Sequence, residues 1–124
     1  MIHAARRGKP TNNRELADSL CAVSPELFEM RKSHVKTFGT LITHVFMAIV
    51  LARVGACIRA KGPGEQAVEA AEILQGLERG MESGDRETRN VISISFAGDA
   101  ELEPFFGVLA PLLGPRLRAL LPGL

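Results

Sequence analysis

The stretch from Lys36 to Lys61, KTFGTLITHVFMAIVLARVGACIRAK, is the longest apolar segment of the chain and decides the fold class. Apolar side chains recur in it every three or four residues, the spacing that places side chains on one face of an α-helix. Further apolar residues lie between these, so the predicted helix is apolar on most sides, as is typical of a long apolar helix at the centre of a core. The residues of this face are Leu41, Val45, Ala48, Leu51 and Ile58, widened by Ile42, Phe46, Ile49 and Val50. Gly62-Pro63-Gly64 would end the helix, because glycine suits a left-handed cap and proline cannot continue a helix.

The most apolar part of this stretch, from Phe38 to Ala52, is too short to cross a membrane. Its roughly 15 residues would form a helix of about 22 Å, whereas a span needs about 20 residues. The N-terminal residues Met1–Arg7 lack the apolar core of a secretory signal. We therefore expect one cytoplasmic domain, residues 1–124, in which residues 1–12 form a flexible basic arm.

Apolar spacing predicts the first helix, and a capping residue marks the start of the second. A helix from about 13 to 22 carries apolar residues at helical spacing. Ser24-Pro25 is a good start for the next helix, because serine caps a helix N-terminus and proline suits the first turn. The residues expected to face the core from this second helix are Leu27, Phe28 and Met30.

The second half of the chain is also predicted to be helical. A long helix is indicated from about 65 to 83, and Asp85 is a suitable N-cap for the one that follows. The last apolar segment, 105–121, contains Pro111 and Pro115, which should divide or kink it. The fold class expected is all-α, an antiparallel bundle of about five to six helices joined by short loops.

One segment has an ambiguous pattern. Val91-Ile-Ser-Ile-Ser-Phe96 alternates apolar and polar residues, which is typical of a half-buried strand. A lone strand has no partner elsewhere in this chain to satisfy its backbone groups. The helical interpretation is therefore favoured.

Composition narrows the classes of function. Six Phe and no Trp or Tyr leave few rings for stacking on sugars or bases. The net charge is +1, but residues 1–62 hold ten Lys and Arg against four Asp and Glu, and residues 63–124 hold five against ten. Such asymmetry suggests an electrostatically patterned surface, with solvated helix faces as the alternative. Cys21 and Cys57 lack metal or redox spacing and are expected as buried thiols, with a single disulfide as the alternative.

Catalytic patterns are missing from the sequence. It has no phosphate-binding loop, no Gly-rich dinucleotide turn after a strand and no nucleophile elbow. His3, His34 and His44 are scattered, and no ligand spacing accompanies them, so neither a metal nor a cofactor is expected. His44 is interpreted as a satisfied core histidine or one at the bundle edge, with an acid–base role as the alternative. Ser93 and Ser95 have no base paired with them in the sequence pattern, so we expect no enzyme.

Nucleic-acid binding is a weaker hypothesis than protein binding. Basic residues do cluster in the first third of the chain, yet no helix-turn-helix or zinc pattern follows and the overall charge is near zero. The two clusters are Arg6, Arg7, Lys9 and Arg14, and Arg31, Lys32 and Lys36.

Residues 40–120 carry a series of short motifs in a recognisable order. These are His44-Val45-Phe46, Ile73-Leu74-x-x-Leu77-Glu78, Gly84-Asp85-x-Glu87, Asn90-Val91-Ile92-Ser93-Ile94-Ser95-Phe96 and Leu113-Gly114-Pro115-x-Leu117. In order and spacing they resemble a family of small bacterial proteins classed as a domain of unknown function. Family members are similar to the immunity proteins that bacteria keep in the cytosol against secreted polymorphic toxins. The resemblance implies a helical segment at 91–96 and a stoichiometric inhibitor that binds a toxin directly. Where the family carries acidic residues, this chain has Met47-Ala48-Ile49 and Ala97-Gly98.

The acidic second half supplies the predicted contact surface for a toxin. Complementary charge would speed the encounter, and apolar anchors would hold the complex. The predicted partner-binding residues are Glu78, Glu82, Asp85, Glu87, Asp99, Glu101 and Glu103.

The alternative function is that of a helical homodimer acting as a regulator or scaffold. The C-terminal segment has more hydrophobic residues than one helix face needs, and the surplus would form a two-fold interface. The residues of this hypothetical interface are Phe105, Phe106, Leu109, Leu112 and Leu113.

Overall fold

A computed structural model describes residues 9–60 and 64–121, and within these ranges the chain is helical with no strand. The elements are α1 (Asn13–Val23), α2 (Pro25–Phe38), α3 (Thr43–Arg59), α4 (Glu65–Ser83), α5 (Arg86–Val91), a π-helical segment (Ile92–Ala97), α6 (Gly98–Ala100), α7 (Phe106–Leu109), a 3-10 turn (Ala110–Leu112) and α8 (Pro115–Arg118). The all-α prediction is confirmed for this part of the chain. None of the described helices combines the length and apolarity that a membrane crossing requires.

The first two helices begin near their predicted starts, the second at its predicted cap Ser24. The Asn12 side chain accepts a hydrogen bond from the Glu15 amide at the start of α1, and Ser24 accepts one from the Leu27 amide at the start of α2. Leu27 faces the core as expected, but Phe28 and Met30 are 49% and 37% exposed. The prediction that all three face inward is therefore wrong for two of them.

The predicted long apolar helix over 36–61 is not one element. Helix α2 ends at Gly39, whose φ of +80° is the left-handed conformation that glycine adopts without strain. The chain then turns, and α3 begins at Thr43 and ends at Arg59. Apolar residues continue at helical spacing across this turn, so the sequence pattern did not reveal the break between α2 and α3. The predicted stop at Gly62-Pro63 lies outside the described residues.

The core forms where α1, α3, α4 and the π-helical segment pack together. Glycines bring α4 close to its neighbours, since a Cβ added to Gly76 would lie 2.8 Å from a Leu20 methyl carbon and one added to Gly80 would lie 2.9 Å from Ile92 Cδ1. The largest fully buried side chains include Phe46, Phe96, Leu16, Leu20, Met47, Ile73, Leu77 and Ile92.

The segment 91–96 is helical, as the argument from unpaired backbone groups predicts. Residues 86–100 form one continuous run of helix, in which α5 passes into the π-helical segment and then into α6. The wider turn of a π-helix shifts the angular spacing of its side chains, so Ile92, Ser95 and Phe96 are all buried while Ile94 is 57% exposed. The final segment is divided near Pro111 and Pro115, as predicted.

The described end of the predicted arm is bound to the helices. Ser83 Oγ donates a hydrogen bond of 2.8 Å to the Pro10 carbonyl, and the Asp85 amide donates one of 2.9 Å to the Thr11 carbonyl. Residues 1–8, with Arg6, Arg7 and His3, lie outside the described residues.

Candidate functional site: an acidic turn with an exposed leucine

The turn from Asp99 to Phe105 combines exposed carboxylates with an exposed apolar side chain. Leu102 is 82% exposed, the most exposed large hydrophobic residue among those described. Asp99 and Glu101 are exposed and Glu103 is half-buried. Backbone hydrogen bonds of 3.1 Å from Leu102 to Asp99 and from Glu103 to Ala100 hold the turn in a compact conformation. The turn therefore presents a leucine surrounded by three acidic residues.

Buried residues anchor the turn at both ends. Ala100 and Phe105 are 1% and 7% exposed. Phe105 lies against Gly55 of α3, where an added Cβ would be 2.5 Å from the ring. The Arg59 guanidinium lies 5.5 Å from the centre of the same ring, within range of a cation–π interaction. The acidic turn is thus held by packing against α3.

Two of the predicted contact residues stabilise the end of the chain instead. The Glu78 carboxylate accepts hydrogen bonds from the Arg116 and Leu117 amides, at 2.8 and 3.0 Å. It therefore satisfies backbone donors at the N-terminus of α8, where a negative charge is favourable. Glu82 lies 3.8 Å from the Arg116 guanidinium. Both carboxylates are engaged within the chain.

Asp85 also has a structural role. Its side chain caps α5 by accepting a hydrogen bond of 2.8 Å from the Thr88 amide, which holds the pKa of the carboxyl below its ordinary value. Glu87 is exposed on the first turn of the same helix. Asp99 follows twelve residues later, near the other end of the same continuous run of helix.

The seven predicted residues lie on different elements. Asp99, Glu101 and Glu103 share the acidic turn, while Glu78 and Glu82 lie on α4, Asp85 caps α5 and Glu87 lies on α5. Within the described ranges, the carboxylates of the three turn residues have no hydrogen bond or ion pair. The carboxylate of Glu87, at the other end of the continuous run of helix, likewise has no hydrogen bond or ion pair there, but the turn residues alone flank the exposed Leu102.

One expectation about chemistry needs correction. Ser95 does have a histidine beside it, since the Ser95 hydroxyl and His44 Nδ1 are hydrogen-bonded between the π-helical segment and the first turn of α3. Ser95 is 9% exposed. His44 is exposed, so His44 is not a core histidine and lies at the edge of the helical packing. Ser93 instead donates a hydrogen bond of 2.9 Å to the Arg89 carbonyl.

The hypothetical dimer interface lies largely within the core. Phe105, Leu109 and Leu113 are at most 7% exposed, and Phe106 is half-buried. Leu112, 52% exposed, is the remaining member. The apolar surplus seen in the sequence is therefore used for intramolecular packing.

Two residues of the second basic cluster are paired, and both cysteines are buried. In the second basic cluster, Arg31 pairs with Asp18 at 2.6 Å and Lys32 with Glu29 at 3.1 Å. Cys21 and Cys57 are free and buried, and burial raises the pKa of both thiols. Among the described residues, no group of three or more His, Cys, Asp or Glu side chains is placed to hold a metal ion.

Comparison of the chain with protein-family models, with curated proteins and with solved structures finds no match.

Leu102 is the site residue that sequence reasoning missed. The signal was present, because Asp99-Ala-Glu-Leu-Glu-Pro104 places a single leucine among three acidic residues. Its exposure was not predictable from the pattern, since the other described leucines in the same third of the chain range from fully buried, as Leu109 is, to 52% exposed, as Leu112 is.

Proposed function

We propose that this protein is a non-catalytic cytosolic binding protein, an immunity-like protein that neutralises a bacterial toxin by binding it through the acidic turn. The choice of a toxin as partner rests on the resemblance of the sequence motifs. The choice of the surface rests on one observation, the 82% exposure of Leu102 between carboxylates that have no ion pair within the described residues.

The physical basis is the arrangement found at strong protein interfaces. An apolar anchor that enters a partner pocket contributes most of the affinity, and the polar residues around it exclude water from the contact. Carboxylates around such an anchor favour a basic partner surface, because opposite charges speed the encounter and disfavour acidic partners. Since Ala100 and Phe105 are anchored in the core, the turn loses little conformational entropy on binding.

The test is co-expression with the toxin domain encoded beside this gene. Wild-type protein should co-purify with the toxin and protect the cells. Leu102→Ala should weaken binding by about tenfold or more, as expected for a central anchor. Asp99→Lys combined with Glu101→Lys should slow association, because it reverses the charge that attracts a basic surface.

Two matched controls locate the contact on the turn. Leu112→Ala removes another exposed leucine, and Glu87→Lys reverses an exposed acid at the far end of the continuous helix. Both should leave binding unchanged. A wild-type protein that neither co-purifies nor protects would refute the toxin hypothesis. If the controls weaken binding as much as the turn variants do, the assignment of the surface is wrong.

A further inference from the structure

A groove of about 400 Å³ runs between α2 and α3, and it is not part of the acidic turn. Its walls are largely apolar, with Met30 and Phe38 from α2 and Val45 and Ile49 from α3. Three of these side chains are substantially exposed: Met30 is 37%, Val45 is 41% and Phe38 is 52% exposed. This volume is within the range of pockets that hold small molecules.

His34 lines this groove and carries a buried ring nitrogen without a partner among the described residues. The residue is 4% exposed and lines the groove, and its Nε2 accepts a hydrogen bond of 2.9 Å from the Ile42 amide. Accepting at Nε2 requires the neutral ring with its proton on Nδ1. Nδ1 has no hydrogen-bond partner among the described residues. A buried donor without an acceptor is uncommon in native proteins, so this N–H group points to a bound acceptor.

We propose that the groove binds a small, uncharged, apolar molecule whose carbonyl oxygen accepts a hydrogen bond from His34 Nδ1. The four apolar side chains that line the groove contact the hydrocarbon part of this molecule. The acceptor is uncharged because none of the eight lining residues is a Lys or Arg that could pair with an anion. This proposal is independent of the toxin-binding function.

The size of the groove favours a small molecule over a protein. Eight residues line it, whereas a stable protein interface takes roughly 20–30 residues from each partner. A second copy of the chain or a docking helix would need a contact several times larger.

Entry to Nδ1 requires a side-chain movement that the structure permits. The His34 ring packs against Phe38 and Phe46, with centroid distances of 4.9 and 6.3 Å. Phe46 is fully buried, but Phe38 is half exposed and is the last residue of α2. Rotation of Phe38 loses little packing, so Phe38 is the residue that moves aside for the oxygen.

A nuclear magnetic resonance titration with methyl hexyl ketone tests the proposal. We expect saturable shifts of the Met30, Val45 and Ile49 methyl signals and a downfield shift of the His34 Nδ1–H signal. His34→Gln should weaken binding about tenfold, because the glutamine amide can still accept the Ile42 N–H while nothing remains at the Nδ1 position. Octanoate, an anion of the same chain length, should bind more weakly than the ketone.

A second variant keeps the test valid should His34→Gln fail to fold. Val45→Glu places a charge on an exposed groove wall and should abolish binding, while Val68→Glu, at an exposed valine on α4, should not change it. An absent or unsaturable response in the wild type would overturn the proposal. Equal ketone affinity of the wild type and of folded His34→Gln would overturn the role of Nδ1, and octanoate binding as tightly as the ketone would overturn the uncharged class.

Discussion

Glu69 joins three helical elements through its carboxylate. It accepts hydrogen bonds from Arg53 Nε and Nη2, at 2.7 and 2.8 Å, and from Ser24 Oγ at 2.6 Å. The Arg53 and Glu69 side chains are 19% and 13% exposed, so the pair is shielded from most of the solvent. Replacing Glu69 by Gln leaves the Arg53 charge without its counterion. We expect this substitution to lower the free energy of unfolding by about 2 kcal/mol near neutral pH.

The pH dependence gives this prediction a definite sign. The Arg53 hydrogen bond holds the pKa of the Glu69 carboxyl below its ordinary value of 4.5. The stabilisation is therefore complete above that value and is lost as the pH falls through the lowered pKa of the folded state. Urea unfolding followed by circular dichroism should show the difference between wild type and Glu69→Gln shrinking below pH 4.5. Glu65→Gln, at an exposed position on the same helix, should change stability by less than about 0.5 kcal/mol at any pH. If the difference in the free energy of unfolding between wild type and Glu69→Gln stays constant with pH, the ion pair is not its cause.

Ser95 illustrates how far single residues can be interpreted from sequence. The alternation Val91–Phe96 did not predict which side chains are buried, since Ser95 is buried and Ile94 is exposed, and it did not reveal the hydrogen bond with His44. That bond joins residues 51 positions apart and depends on the π-helical segment packing on α3. A buried hydroxyl needs a partner, so the pair satisfies Ser95 in the helix interface.

At the scale of elements, Gly55 of α3 controls the position of the acidic turn. A methyl group at this site would lie 2.5 and 2.7 Å from Phe105 ring carbons, closer than packing allows. Gly55→Ala should therefore displace the Phe105 ring and lower the free energy of unfolding by about 1–3 kcal/mol. Thermal and urea unfolding measure this loss directly.

Gly107 of α7 provides the matched control for this prediction. No atom lies within 4 Å of the position that a Cβ would take there. Gly107→Ala should leave stability unchanged or raise it by about 0.5 kcal/mol, because alanine is the better helix former. Equal stability of Gly55→Ala and Gly107→Ala would mean that Phe105 adapts without strain and does not fix the turn.

Helix starts were more predictable than helix lengths, for a physical reason. The caps at Ser24 and Asp85 act on amides three residues away, so the sequence contains both partners. The break between α2 and α3 depends in addition on His34 accepting the Ile42 amide across the turn, and apolar residues continue on both sides of it. Gly39 was the one local sequence signal for this break. The strong apolar periodicity on both sides of it favoured a single continuous helix instead.

For the whole molecule, the all-helical class was predictable, whereas the grouping of the acidic residues was not. Counting charged residues shows that the second half of the chain is acidic. The count does not distinguish a solvated carboxylate from one that caps a helix. Glu78 is the clearest example, since its amide partners are 38 and 39 residues away in sequence. Only the tertiary contacts reduced the candidate contact residues from seven acidic residues to those of the acidic turn.

The same contacts predict the oligomeric state. Since Phe105, Leu109 and Leu113 are buried in the core of one chain, a symmetric partner cannot use them without unfolding the C-terminal segment. Among the described residues of this segment, the exposed large hydrophobic side chains are Val108 and Leu112, too few for an interface of the usual size. We expect light scattering to give the mass of a monomer over a wide range of protein concentration. Leu112→Asp should leave this mass unchanged, and a concentration-dependent dimer that this variant abolishes would restore the homodimer hypothesis.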